Sequence, residues 1–477
     1  MYMYNIKYSL ILSLLFYIKI IYAFTCPLVS LNMNYNWNKN WYPIAFDKYT
    51  DKTKPFSFNL LGESLVVWWD HKTKKWNSMK NQCPHKLVPL SEGRINENGN
   101  IECPYHGWSF NGQTGKCNCI PHTFNKKITN NKYSQGKAYY TTLKQDLIWI
   151  WPEIIENNKI YPDENLIPIY KTLENKNIIY EDTFIDLPYD YTIFFENVLD
   201  ISHIPFTHHG SQGNRKWGKS INYKIINKVT DKGFSLKFNT SKSKAETFFK
   251  APCSQYSKFN SKYLKTHIVS YATPTIEGKC RAFARLPVLD IKLPYIFVII
   301  IKFFYNIKPT FLKHMFINKV IEEDNIFLHI QEKELNNKLN KYFLPTITDM
   351  PTILWRKWLN ESGNIPWVNK NIEKKYINLQ YNKYELLDRE NTHLKHCIVC
   401  QNANKNLYKI KKYTLLLLSF TSIFGTSLID LYFPTYNQII KKTILWFLII
   451  ILGNMWFIFN ILQDRLIKGP YPPTRNL

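Results

Sequence analysis

Two short segments of the chain each combine one cysteine with one histidine. Cys83 and His85 are spaced C-x-H, and Cys103 and His106 follow with C-x-x-H spacing. A zinc site with two cysteines and two histidines places like ligands together along the chain, whereas each segment here offers one of each. The alternation instead suits a cluster of two unlike irons, one held by two thiolates and the other by two imidazoles.

This pattern is the signature of a Rieske [2Fe-2S] centre, and the continuation CPYHGW strengthens it. Neutral imidazoles in place of anionic thiolates raise the reduction potential, so that ferredoxin can reduce the cluster. Rieske proteins of cytochrome complexes carry an extra cysteine in each ligand loop, whereas here Lys86 follows His85 and Tyr105 precedes His106. The two loops therefore resemble those of oxygenases.

A second set of candidate ligands lies about a hundred residues downstream, in FFENVLDISHIPFTHHG. Helical spacing of FFENVLDISH predicts that Asn197, Asp200 and His203 share one face, and Pro205 is expected to end or kink this helix. His208 follows five residues after His203.

Two neutral histidines and one carboxylate form the facial triad of non-haem Fe(II) enzymes, which leaves coordination positions open for oxygen and substrate. His203 and His208 are the predicted histidine ligands, and His209 is interpreted as a neighbour that does not bind the metal. An isolated pair with this spacing is weak evidence, but a Rieske domain upstream makes the iron site the favoured interpretation.

The carboxylate ligand is expected from a distant segment, NKVIEEDNIFLHIQEKEL, which has the composition of a polar helix. Asp324 is the predicted ligand because it stands between acidic neighbours and the apolar IFL. Glu322 and Glu323 are expected to be solvated, although the sequence leaves either open as the ligand.

Length and composition indicate how many domains surround these sites and which partners the chain can have. The chain has 477 residues and 16% aromatic residues, which indicates a folded protein with two or three domains. The net charge of +26 is spread along the chain without a basic helix or nucleic-acid motif, so no nucleic-acid partner is expected. Short β-like runs predict an all-β domain over 38–152, and a catalytic domain is predicted over 175–385.

Both ends of the chain carry apolar segments. Residues 1–23 are predicted to be a signal peptide and 24–37 a short transit-like segment, because AFTCP resembles the junction of bipartite leaders for complex plastids. An ordinary secretory leader or an N-terminal anchor is the alternative. Residues 413–433 and 443–462 are predicted to form a transmembrane hairpin, with a buried helical pair as the alternative.

A C-x-x-C pair, Cys397 and Cys400, lies in a predicted linker over 386–412. Such a pair could be a redox-regulatory dithiol, and together with His393 and His396 it could instead bind a metal. We favour redox regulation over zinc.

The chain resembles the pheophorbide a oxygenase family of plastid Rieske monooxygenases, which includes an inner-envelope translocon-associated Rieske protein and a protochlorophyllide-oxidising relative. The resemblance rests on the following segments: WYPIAF, CPHKLVPLSEGRI, CPYHGWSF, LPYDYTIFFENVLDISHIPFTHHG, VIEEDNIFLHIQE, RKWLNESGNIPW and CIVC. It implies an α+β fold in which a Rieske domain precedes a helix-grip catalytic domain and a C-terminal hairpin.

The resemblance also implies roles for residues and partners. Asp200 would bridge the iron ligand His203 and His106 of a neighbouring subunit, which implies a homotrimer. Asp200 and Asn197 are the candidate catalytic residues. The cofactors would be a [2Fe-2S] cluster and mononuclear Fe(II), with ferredoxin as electron donor and thioredoxin as a regulator of the C-x-x-C pair.

The expected activity is O2-dependent oxygenation of a tetrapyrrole of the chlorophyll pathway, at a plastid envelope or thylakoid membrane. Two alternatives stay open at this point. One is an envelope redox sensor or import-associated Rieske protein, and the other is a Rieske oxygenase of sterols.

Overall fold

The structure, a computed structural model, describes most of the chain from residue 35 onward. The described ranges are 35–155, 161–175, 178–240, 243–262, 264–291, 294–336, 341–363, 365–367 and 381–476. The predicted signal peptide and nearly all of the transit-like segment lie outside the described residues.

The first domain is built from antiparallel strands. They are β1 (Tyr42–Phe46), β2 (Phe56–Leu60), β3 (Glu63–Asp70), β4 (Lys75–Lys80), β5 (Arg94–Ile95), β6 (Ile101–Glu102), β7 (Ser109–Phe110), β8 (Cys117–Cys119), β9 (Ala138–Lys144) and β10 (Leu147–Ile154). A six-stranded sheet has the order β1-β10-β9-β4-β3-β2, and a smaller sheet has the order β5-β6-β7-β8. A short helix, α1 (Lys126–Thr129), follows the smaller sheet.

The second domain is a seven-stranded antiparallel sheet covered by helices. Its strands are β11 (Ile179–Leu187), β12 (Lys224–Thr230), β13 (Gly233–Asn239), β14 (Lys244–Lys250), β15 (Ser254–Asn260), β16 (Leu264–Ile276) and β17 (Lys279–Ile291), in the order β11-β17-β16-β15-β14-β13-β12. The helices up to the C-terminal segment are α2 (Tyr191–Leu199), α3 (Ile204–Thr207), α4 (Tyr295–Ile307), α5 (Thr310–Asn336), α6 (Met350–Glu361), α7 (Lys383–Leu386) and α8 (Arg389–Thr392).

The alternation of buried and exposed side chains along the strands determines which face of the sheet the helices cover. In β14, Ala245 and Phe249 are buried while the lysines at both ends are exposed, as a half-buried strand requires. The ring of Phe249 packs on Trp355 and Trp358 of α6, with centroids 4.9 and 4.8 Å apart. Helix α2 packs on β15 to β17, and helix α5 packs on β11. The sheet therefore positions α5, which carries the predicted iron ligand Asp324, and α2, which ends a few residues before the predicted ligand His203.

Backbone hydrogen bonds fasten the two domains together. The amides of Leu61 and Gly62, in the β2–β3 turn, donate to the carbonyls of Pro274 and Thr275 in β16 at 3.0 and 2.7 Å. One cluster of buried apolar residues also runs from the six-stranded sheet into the seven-stranded sheet. The first domain is therefore firmly attached to the second domain of the same chain.

The helix predicted to run through Asp200 and His203 is shorter than expected. Helix α2 ends at Leu199, and Asp200 leaves the helical region with φ −88° and ψ 88°. Its carboxylate accepts the amide of Ser202 at 2.9 Å and caps a new turn of 3-10 helix over Ile201–His203. An aspartate competes for backbone donors in this way and favours caps over helix interiors.

Pro205 also has a different role from the one predicted. It stands in the first turn of α3, where a missing N–H costs nothing, so it begins a short helix instead of ending one.

Two long apolar helices close the chain, α9 (Ile398–Tyr432) and α10 (Gln438–Ile467). They run antiparallel, since Lys441 pairs with Asp430 at 2.8 Å near the turn and Gln463 donates to Asn404 at 3.2 Å near the base. Both are long and apolar enough to cross a membrane, and only 11% and 0% of their most apolar windows are buried. This low burial argues against a buried helical pair. The predicted fold class is confirmed, whereas the predicted linker over 386–412 is folded and partly buried.

The carboxyl group of Glu332, close to the start of α2, makes the stability of the fold depend on pH. The loss of water around Glu332 raises its pKa from 4.5 to about 8, and Asp190 adds to the rise. The folded protein therefore keeps this proton to higher pH than the unfolded chain, and its stability falls as pH rises from the ordinary pKa through about 8.

We expect Glu332→Gln to remove this loss, because the amide stays neutral and keeps the oxygen that accepts the Asp190 amide at 3.0 Å. Thermal unfolding measured from about pH 5 to about pH 9 should show a flatter pH dependence for the variant than for the wild type. The exposed Glu334→Gln on the same helix is the control. Identical pH profiles for Glu332→Gln and the wild type would contradict the prediction.

Candidate metal centres and active site

The two loops with cysteine and histidine have the same backbone geometry. In each loop the cysteine amide donates to the carbonyl five residues on, at 2.9 Å for Cys83 and 2.8 Å for Cys103. Four residues after each cysteine the backbone adopts a positive φ, 62° at Leu87 and 68° at Gly107. A side chain at Gly107 would meet Pro121, with its Cβ 3.0 Å from Cγ, so the second loop requires glycine. The two loops are equivalent halves of one site.

The side chains of these loops divide into a buried and an exposed pair. The thiols of Cys83 and Cys103 are buried, while His85 is exposed and His106 half-buried. The rings of His85 and His106 lie 4.7 Å apart between centroids, and His85 stacks on Trp108 at 4.8 Å. The thiolate end of the site therefore faces the interior, and the imidazole end faces the surface.

Burial and the neighbouring Cys103 raise the pKa of Cys83 to about 12, although backbone amides of its own loop oppose the rise. A buried thiol with a raised pKa ionises near neutral pH only if a cation compensates its charge, and iron supplies that charge.

The predicted iron ligands come together in the second domain. Ligand atoms of His203, His208 and Asp324 all lie within 4.8 Å of one another, with His208 and Asp324 buried and His203 half-buried. The Nε2 atom of His208 lies 3.5 Å from Oδ2 of Asp324. The turn before α3 supplies His203, the C-cap position of α3 supplies His208, and α5 supplies the carboxylate.

Hydrogen bonds show that these side chains present acceptors to a common point. Nδ1 of His208 donates to Oε2 of Glu323 at 2.9 Å, so its Nε2 carries a lone pair towards Asp324. Nδ1 of His203 donates to the carbonyl of Asp200, which leaves its Nε2 as an acceptor. Oδ1 of Asp324 is buried without a hydrogen-bond partner. Acceptors that face each other in a buried place repel, and a divalent cation between them removes the repulsion. The residues fit Fe(II).

The environment of the two neighbouring glutamates corrects the sequence-based expectation that both are solvated. Glu322 is buried and forms a two-point ion pair with Arg389, at 2.6 and 2.7 Å. Glu323 is buried against His208 and also accepts the hydroxyl of Ser211 at 2.7 Å. Burial raises the pKa of Glu323, but the hydrogen bonds from His208 and Ser211 outweigh it and hold that pKa below its usual range. The polar sequence of this helix suggested an exposed face, whereas the helix is packed on several sides.

Asn197 and Asp200 lie next to the iron ligands in different ways. The side-chain amide of Asn197 donates to Oδ2 of Asp324 at 3.0 Å. Asp200 contacts His203 through its backbone carbonyl, whereas a contact through its carboxylate was expected. One oxygen of that carboxylate, Oδ1, is taken by the amide and hydroxyl of Ser202.

Sequence reasoning missed the C-terminal tail as part of this region. The guanidinium of Arg475 donates to the carbonyl of Glu323 at 2.7 Å, and the ammonium of Lys319 donates to Thr474 at 2.8 Å. His209, which was predicted not to bind the metal, accepts the amide of Arg215 at 3.3 Å. No local sequence pattern could predict the contact between Arg475 and Glu323, because it forms only when the hairpin returns the end of the chain to α5.

We expect Glu323→Ala to weaken iron binding about 10- to 100-fold, because His208 loses the partner that fixes its tautomer and orientation. Glu323→Gln, whose side-chain oxygen can still accept the proton of Nδ1, should recover most of the binding. Iron content and the visible spectrum of the cluster are measured on both, with the exposed Glu334→Ala as a control. Equal iron content in the alanine and glutamine variants would refute a positioning role for Glu323.

Comparisons with known proteins agree with the two centres. The Rieske [2Fe-2S] domain matches residues 40–132, and the pheophorbide a oxygenase domain matches residues 249–341. Pheophorbide a oxygenase, chloroplastic, of Oryza sativa subsp. japonica is 29% identical over 80% of this chain and 76% of its own length. Protochlorophyllide-dependent translocon component 52, chloroplastic, of Arabidopsis thaliana is 27% identical over 78% and 74%. Flavonoid 8-hydroxylase 2, chloroplastic, of Ocimum basilicum is 28% identical over 78% and 75%.

Solved structures support the fold. Dicamba monooxygenase superposes with a TM-score of 0.54 at 16% identity and covers 69% of this chain and 98% of its own. NdmB of Pseudomonas putida CBB5 superposes with a TM-score of 0.53 at 19% identity and covers 69% and 92%.

The predicted resemblance, both cofactors and the enzyme class are confirmed by these matches. The assignment of individual ligands stays a prediction. The chain is a Rieske-type non-haem iron oxygenase whose catalytic domain is related to pheophorbide a oxygenase.

Proposed function

We propose that this oxygenase inserts one atom of O2 into a tetrapyrrole of the chlorophyll pathway at a plastid membrane, as a homotrimer that takes electrons from ferredoxin. The observation that carries the proposal is the convergence of His203, His208 and Asp324 in a chain that also presents a Rieske-type site. Pheophorbide a oxygenase, named for a tetrapyrrole, is among the relatives and supports the substrate class. When bound, the cluster supplies single electrons and the Fe(II) supplies the open positions at which O2 reacts with substrate.

The chain's own residues have distinct tasks in this scheme. Cys83 and Cys103 hold the buried end of the cluster, and His85 and His106 present the other end at the surface. His203, His208 and Asp324 hold the iron, and Asn197 and Glu323 orient two of these three ligands through single hydrogen bonds.

Surface exposure supports a trimer with electron transfer between subunits. His106 in the first domain and Asp200 and His203 in the second domain are all half-buried. A neighbouring subunit can therefore reach each of them. A carboxylate placed between the two imidazoles orients both and couples the two centres. In the proposed trimer, Asp200 takes this place with two groups: its backbone carbonyl accepts a hydrogen bond from Nδ1 of His203, and its carboxylate accepts one from the imidazole of His106 of the partner subunit.

Two apolar surfaces support a membrane location. The hairpin of α9 and α10 exposes nearly all of its apolar side chains. Helix α4 exposes a further group of large apolar residues: Ile296, Phe297, Ile299, Ile300, Ile301, Phe303, Phe304 and Ile307. Exposed apolar area of this extent is typical of membrane contact. The names of the relatives place them in chloroplasts, which supports a plastid as the compartment.

Substrate conversion tests this function. The purified full chain, reduced through ferredoxin, is incubated in separate reactions with pheophorbide a, protochlorophyllide, a flavone and a sterol. We expect an oxygenated product from a tetrapyrrole alone. Conversion of the flavone alone would overturn the tetrapyrrole assignment and favour the activity for which the Ocimum basilicum relative is named. Conversion of the sterol alone would favour a sterol oxygenase, and no conversion of any compound would favour a redox or import-associated role.

We expect Asp200→Asn to keep both metals and to slow the reoxidation of the reduced cluster about 10- to 100-fold in the presence of substrate and O2. Asparagine caps a helical turn about as well as aspartate, so the local fold should be preserved. Stopped-flow absorbance of the cluster measures the rate. Asp163→Asn, a similar change at the cap of the turn over Glu164–Leu166, is the control. An unchanged rate in Asp200→Asn would refute the bridging role.

A further inference from the structure

Four side chains outside the two iron centres form a second closed group of metal-type donors. Ligand atoms of His314, His393, Cys397 and Cys400 all lie within 4.8 Å of one another, and all four residues are buried. His314 belongs to α5, His393 follows α8, and the two cysteines begin α9. The site thus joins segments that are 79 residues apart, from His314 to His393.

The distances between donors match one tetrahedral ion. Nδ1 of His314 lies 3.2 Å from Nε2 of His393, and these two nitrogens lie 3.3 and 3.4 Å from Sγ of Cys400. Sγ of Cys397 lies 3.8 Å from Nδ1 of His314. Tetrahedral zinc bonds of about 2.3 Å to sulfur and about 2.0 Å to nitrogen place nitrogens about 3.3 Å apart and nitrogen about 3.5 Å from sulfur.

A hydrogen bond to His393 and the dipole of helix α9 favour binding of a cation by these donors. Nδ1 of His393 donates to the carbonyl of Phe184 in β11 at 2.7 Å, which turns the lone pair of its Nε2 towards the group. Cys397 is the N-cap residue of α9 and makes no capping hydrogen bond with its side chain. The positive end of the helix dipole there favours thiolates.

The sequence-based metal alternative for this motif is corrected in one ligand. His396 was grouped with His393 and the cysteines, but its Nε2 lies 3.4 Å from Oδ2 of Asp186 and takes no part in the group. His314, 83 residues before Cys397 along the chain, takes its place. The structure describes Cys397 and Cys400 as free thiols.

We propose that His314, His393, Cys397 and Cys400 bind a structural Zn²⁺ ion. Two thiolates and two imidazoles in a closed tetrahedral set are the ligands that zinc prefers in structural sites, and no position is left for a substrate. Binding releases two protons as the thiols ionise. The ion fastens the base of the hairpin to α5, the helix that also carries Asp324. The inference does not depend on the identity of the substrate.

Metal analysis of the full chain, purified in detergent, tests the site. We expect about one zinc per chain in addition to iron. Cys400→Ser and His393→Ala should lose the zinc and keep the visible spectrum of the Rieske cluster. His396→Ala is the matched control and should keep the zinc. Asp324→Ala should also keep it, which excludes zinc bound in the iron site.

If a variant fails to fold, alkylation of cysteines in the wild-type protein tests the zinc site instead. Cys397 and Cys400 should resist alkylation in the native protein and react after zinc is removed by a chelator. Wild-type protein with no zinc, a disulfide between Cys397 and Cys400, or zinc that persists in Cys400→Ser would overturn the proposal. So would iron in place of zinc at this site.

Discussion

The proposed iron centre depends on one buried arrangement, in which the unprotonated Nε2 of His208 faces the carboxylate of Asp324 at 3.5 Å. Each group is held from behind, His208 by Glu323 and Asp324 by Asn197. Neither can turn away without losing a hydrogen bond in a place that water does not reach. Two acceptors held face to face become favourable only with a cation between them, so the surrounding structure serves to keep this geometry ready for iron.

Helix α5 is the element through which this arrangement reaches the rest of the molecule. It carries Asp324, it pairs with α8 through Glu322 and Arg389, and it offers His314 to the group at the base of the hairpin. The tail after the hairpin returns to the same helix, where Arg475 donates to the backbone of Glu323. The attachment of the hairpin and the position of the predicted iron ligand therefore both depend on how α5 is packed.

Local features could be predicted from the sequence, and features that depend on distant contacts could not. The Cys83 and Cys103 loops hold their predicted ligands within four residues, so spacing alone was enough to predict them. The structure also brings His203, His208 and Asp324 together as predicted. The glutamates beside Asp324 were wrongly expected to be solvated, because their partners, Arg389 and His208, are 67 and 115 residues away. Helix α2 ends early because Asp200 caps the next turn, a competition that periodicity does not reveal.

The central claim is that this chain activates O2 at the site of His203, His208 and Asp324 with electrons that arrive through the Rieske-type domain. Reaction of the reduced full chain with isotopically labelled ¹⁸O2 and a tetrapyrrole, followed by mass spectrometry of the product, tests it most directly. The account predicts one labelled oxygen atom per product molecule in the wild type, and no product from Asp324→Ala even though its cluster is still reduced. Unlabelled product, or labelled product from Asp324→Ala at the wild-type rate, would contradict it.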